Sequence, residues 1–91
     1  MIRGFYSGEV DCWGLPDGRG GIRYSDGRLY TGEFSGGLRN GQGVMIFQNG
    51  TTYIGQWIEG YPHGNGVMTY IDGNYIKGQW EKGKFLTEAR E

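Results

Sequence analysis

A unit of 23 residues repeats along this chain, and that restricts the fold to architectures assembled from like pieces placed side by side. Gly32, Gly55 and Gly78 are 23 residues apart, as are Phe34, Trp57 and Trp80, and again Gly37, Gly60 and Gly83. The second half of the unit keeps the same spacing through Gly18, Gly41 and Gly64, Gly20, Gly43 and Gly66, Tyr24, Phe47 and Tyr70, and Gly27, Gly50 and Gly73. The copies fall at approximately 6–27, 28–50, 51–73 and 74–86, the last partial, within a single domain covering 1–91. In the first copy Tyr6, Gly8 and Val10 stand 24 residues before Tyr30, Gly32 and Phe34. One residue is therefore inserted within Asp11-Cys12-Trp13, which places Cys12 and Trp13 in a turn. In the fourth copy Ile76 fills the column of Tyr30 and Tyr53, and nothing after Gly83 matches the Gly-x-Gly columns.

Within a unit the local signals are those of a hairpin. The run from Arg28 to Phe34 alternates aromatic with polar residues at period two, Ser35 to Gly41 is turn-rich, and Val44 to Phe47 reads as a second strand. Asp26-Gly27, Asn49-Gly50 and Asp72-Gly73 lie between one copy's second strand and the next copy's first, where such pairs supply the positive φ angles of tight turns. Every connection is short, so the expected fold is all-β, an antiparallel meander of tandem hairpins.

Alternation sorts the side chains by face. One face carries Tyr30, Gly32 and Phe34, then Tyr53, Gly55 and Trp57, then Ile76, Gly78 and Trp80. The central glycine lets neighbouring rings lean over the backbone. Met45 and Met68 share a column on that face, with Phe47 and Tyr70. The opposite face, with Thr31, Glu33, Ile54, Gln56, Lys77 and Gln79, is expected to be mostly wet.

Composition narrows the functions. Twenty glycines and 15% aromatic residues, without a three-residue period, fit turns alternating with aromatic strands. Nine Lys plus Arg against ten Asp plus Glu give a net charge of −1, which favours neither nucleic acid nor an anionic membrane. The single cysteine, Cys12, cannot form an internal disulfide, so a reducing compartment is expected. Met1 to Tyr6 hold no apolar signal core, Ile2 departs from the myristoylation signature, and no apolar run reaches the length of a membrane span, so the expectation is a cytoplasmic protein.

Catalytic patterns are missing. The only histidine, His63, shares a column with Asn40 and Asp17 and reads as a turn residue. One Cys and one His are too few for a dedicated zinc site, and Asp17, Asp26 and Asp72 are too scattered for a calcium loop. Pairs such as Gly41-x-Gly43 lack the third glycine and the following helix of a nucleotide loop, and Asn49-Gly50-Thr51 is a glycosylation acceptor only by coincidence of a turn. No cofactor, metal or catalytic residue is expected.

The pattern Tyr53-x-Gly55-x-Trp57-x-x-Gly60-x-x-x-Gly64-x-Gly66 resembles the MORN (membrane occupation and recognition nexus) repeat in length, glycine positions and aromatic columns, and the resemblance covers residues 6 to 83. It implies a twisted single-layer sheet shaped like a gutter that serves as a scaffold or adaptor, as in ciliary, cytoskeletal and membrane-junction proteins. A single layer has nothing to cover its aromatic face, so an incompletely covered groove is a candidate interaction surface. Its expected lining is Tyr30, Phe34, Met45, Phe47, Tyr53, Trp57, Met68, Tyr70 and Trp80. The leading expectation is a protein partner held there, a helix or an extended peptide, with any cytoskeletal or membrane association made through it. Anionic phospholipid is the alternative, against which stands the absence of Lys and Arg from Gly41 to Ile76. Pairing of open sheet edges into a homodimer is a further alternative.

Overall fold

Period-two alternation between glycine-bearing turns yields eight strands, all that the computed structural model contains across the residues it describes, 4–88. The readings made on Met1, Ile2 and Arg3 lie outside those residues. The strands are β1 (Gly4–Val10), β2 (Pro16–Tyr24), β3 (Leu29–Ser35), β4 (Leu38–Ile46), β5 (Thr52–Ile58), β6 (Tyr61–Thr69), β7 (Tyr75–Glu81) and β8 (Lys84–Glu88). Each pairs antiparallel with the next in one open sheet, so the protein is an all-β meander measuring 42 × 25 × 20 Å. Cys12 and Trp13 occupy the turn between β1 and β2.

Two kinds of turn alternate, and in the second, third and fourth repeats the internal one is tighter than its sequence suggested. Gly36-Gly37, Glu59-Gly60 and Lys82-Gly83 join the strands of a hairpin with both residues at positive φ: 56° and 89°, 48° and 93°, 49° and 86°. This is the geometry whose twist matches that of the flanking strands. The turn expected from Ser35 to Gly41 is thus only two residues long, and β4 starts at Leu38. Between repeats, the Asp-Gly and Asn-Gly pairs supply positive φ through their glycines alone, Gly27, Gly50 and Gly73. Asp26, Asn49 and Asp72 instead accept, on Oδ1, the backbone N–H of Arg28, Thr51 and Asn74 at 3.0, 2.9 and 2.9 Å.

The remaining glycine of the expected turn, Gly41, belongs to a β-bulge. Between the pairs Gly32–Gly43 and Phe34–Arg39, the single residue Glu33 of β3 faces Asn40, Gly41 and Gln42 of β4. Gly41 sits at φ 104°, and a Cβ there would run into the Glu33 carboxylate. That carboxylate accepts the Gln42 backbone N–H at 2.6 Å, and Gln56 does the same for Asn65 at 2.8 Å. Glu33 and Gln56 are therefore clamps across the bulge rather than idle wet residues. His63 lies in the corresponding bulge of β6, which corrects its reading as a turn residue.

The core is a ladder of rings. Tyr6, Phe34, Tyr30, Trp57, Tyr53, Trp80 and Phe85 follow one another edge to face, with successive centroids 5.1, 5.0, 5.2, 5.3, 5.2 and 5.2 Å apart. From Tyr6 to Trp80, contacts between repeats alternate with contacts within a strand, and Trp80 then meets Phe85 on the neighbouring strand of its own repeat, so every interior ring has aromatic neighbours on two sides. Tyr30 and Tyr53 point their hydroxyls at the bulge carbonyls of Glu33 and Gln56, at 2.8 and 3.0 Å, and the indole N–H groups of Trp57 and Trp80 donate to Gly43 and Gly66 at 3.2 and 3.1 Å. No polar atom of the buried side chains described is left without a partner.

The other face is less polar than expected. Thr31, Val44, Ile54, Val67 and Lys77 stand side by side across five strands, flanked by exposed Leu29 and Ile46, because β-branched residues are well accommodated on a pleated surface whichever way they point.

Candidate functional site

The ladder decides which residues of the aromatic face a partner can touch. Tyr30, Phe34, Met45, Tyr53, Trp57 and Trp80 are buried, Tyr30 and Tyr53 completely. The expectation of an incompletely covered stripe is corrected for these six, because each ring is covered by the ring of the adjoining repeat and Met45 is wedged directly between Tyr30 and Tyr53 on the flanking strands. Burial also sets their chemistry: it pushes the hydroxyls of Tyr30 and Tyr53 up to about 12.

Three members of the predicted groove remain open. Phe47 and Met68 are half-buried and Tyr70 is 41% exposed. They line one cleft of about 460 Å³ with Asp26, Arg28, Gln48, Asn49 and Thr51. The cleft forms where two successive inter-repeat turns and the end of β6 lie side by side, and the amide of Gln48 reaches across to the Asp26 carbonyl. Its floor is apolar and its rim polar, the usual make-up of a recognition site.

Charge enters at one end. Arg28 and Asp26 form the one ion pair among the described residues, at 2.9 Å. The Arg28 backbone N–H, helped by its guanidinium, holds the Asp26 carboxyl below the usual carboxylate range. The Arg28 guanidinium lies over the Tyr24 ring, 4.5 Å from its centre, and Arg39 approaches the same ring at 5.5 Å while lying 5.0 Å from the centre of the Trp57 ring. Arg39 donates to the Tyr24 hydroxyl at 3.1 Å and to the Gly60 carbonyl at 2.7 Å, joining three repeats.

The sequence reading did not single out Tyr24, Arg28 or Arg39. A signal existed for Arg39, since its column is otherwise filled by Pro16, Pro62 and Phe85, and it pairs directly with Phe34. Among the described residues no group of three or more His, Cys, Asp or Glu is placed to hold a metal ion. The arrangement offers contact area, hydrogen-bonding groups and fixed charge.

A family model described as MORN repeat matches residues 30–52 and 53–75, together half of the chain. No curated protein matches it.

Proposed function

This chain belongs to the MORN repeat family, and from that premise we propose that it is a scaffold module holding a segment of a protein partner against its inner, ring-bearing face. The family is a non-catalytic repeat family engaged in protein or membrane interactions. The observation that carries the reading is the division of the inner face. Six side chains close on one another, whereas Phe47, Met68 and Tyr70 form an open apolar floor beside polar turn residues. The closed ladder fixes the shape of the surface, and the open cleft provides area to bury. The net charge of −1 and the stretch from Gly41 to Ile76 without Lys or Arg favour a protein over an anionic lipid. An adaptor of this kind acts in the cytoplasm.

The test compares the two faces. Immobilised chain carrying Met68→Lys with Tyr70→Lys should capture no partner while keeping the wild-type melting profile, since both positions are partly open. Ile54→Lys with Val67→Lys puts the same charges on the other face and should leave capture intact. The reverse pattern would put the partner on the outer face.

A further inference from the structure

Arg39 is the only cation on the inner face, among the described residues, whose charge meets no carboxylate. Arg28 has Asp26 at 2.9 Å. Arg39 has two neutral acceptors, the Tyr24 hydroxyl and the Gly60 carbonyl, and the π faces of Tyr24 and Trp57. These contacts orient the guanidinium without cancelling its charge, and a guanidinium carries five N–H donors, of which they use two. The side chain is only half-buried, so water solvates it while the face is free.

That balance changes once a segment covers the face. A guanidinium removed from water without a counter-charge is strongly unfavourable, whereas pairing the same group with a carboxylate offsets much of that cost and adds orientation. The inner face therefore discriminates by charge. A neutral or basic segment would bury Arg39 unanswered, and an acidic one would not. Position adds to this: Arg28 lines the open cleft and shares the Tyr24 ring with Arg39, so cleft and free charge form one continuous surface.

We propose that the partner segment is acidic and apolar together, with an Asp or Glu carboxylate paired to Arg39 and apolar side chains seated on Phe47, Met68 and Tyr70. The proposal rests on the reading of the inner face as the binding surface. It commits to a peptide rather than a membrane because one free cation gives a point contact, whereas a lipid surface needs several.

The probe is a display library of random 12-residue peptides selected on the full chain, the enriched sequences then being synthesised and titrated. Enriched peptides should carry an Asp or Glu among apolar residues. Changing that acid to its amide should weaken binding by about tenfold, a size common for a hydrogen-bonded charge pair at an interface. Arg39→Gln should weaken it equally, the two changes together should do no more than either alone, and Arg39→Lys should fall between. The peptide-side change tests the pair without touching the fold, which covers an Arg39→Gln chain that melts early. Peptides without an acid, lost with Met68→Lys and unaffected by Arg39→Gln, would overturn the charge assignment and leave the inner-face reading standing. Peptides indifferent to both variants, or a library that yields no binder, would overturn both. Arg39-dependent binding to vesicles containing phosphatidylserine, without peptide binding, would replace the peptide by a membrane.

Discussion

The ring of Tyr30 meets that of Trp57 edge to face, with centroids 5.2 Å and planes 84° apart, although the two belong to different repeats. Tyr30 also meets Phe34 on its own strand, and Trp57 meets Tyr53 on its own. Each tyrosine thus joins the aromatic residue of its own copy to that of the next. Among the described residues the ladder's outermost contacts are Tyr6 with Phe34 and Trp80 with Phe85, while Val10 and Ile76 stand in the Phe/Trp and Tyr columns of the first and fourth copies. Stability is in this sense carried by nearest-neighbour contacts between repeats.

Gly55→Ala should destabilise the central repeat by about 2 kcal/mol or more, in the range of overpacked core positions. A Cβ at Gly55 would stand 2.5 Å from both the Asn65 carbonyl oxygen and the Gly66 Cα, and 2.9 Å from the Tyr53 hydroxyl. The obstacle is chiefly the neighbouring strand's backbone, which cannot step aside as a ring could. Urea melts compared with wild type measure the loss, and an unchanged midpoint would contradict the close approach of β5 and β6.

Glu59→Gly should stabilise the protein by about 0.5 to 1 kcal/mol. Glu59 holds φ at 48°, a conformation that strains a side-chain-bearing residue, and the first residue of the equivalent turn in the preceding repeat is Gly36 at 56°. A raised thermal midpoint is the expected readout, and Lys82→Gly should behave alike.

Glu33→Ala should remove the bond at 2.6 Å to the Gln42 N–H and lower stability by about 1 kcal/mol, with faster hydrogen exchange at that amide. Glu33→Gln should keep most of the protection, because Gln56 holds Asn65 in the same way one repeat later.

Alkaline pH should melt the ladder. Burial raises Tyr30 and Tyr53 to about 12 in the folded chain, against an ordinary value near 10. Between these values the unfolded chain gives up protons that the folded chain retains, so stability falls as pH rises. The thermal midpoint should be flat in this respect below about pH 10 and drop steadily towards pH 12. Tyr53→Phe, in a chain already weakened by loss of the hydroxyl bond to Gln56, should show a shallower drop.

The sequence by itself determined the meander, the repeat length and which residues share a face, because period two and turn glycines act over a few residues and leave no other way to hide the Tyr and Trp columns. It also marked Phe47, Met68 and Tyr70 as members of the inner face. Only the tertiary structure decided that Tyr30, Met45 and Tyr53 are sealed while those three stay open, since burial here depends on a ring supplied by the next repeat at a set angle. It likewise decided that Glu33 clamps a bulge and that Arg39 reaches Tyr24 and Gly60 across two repeat boundaries. A column of letters shows that positions recur. The sheet's twist and the length of a side chain determine what each one touches.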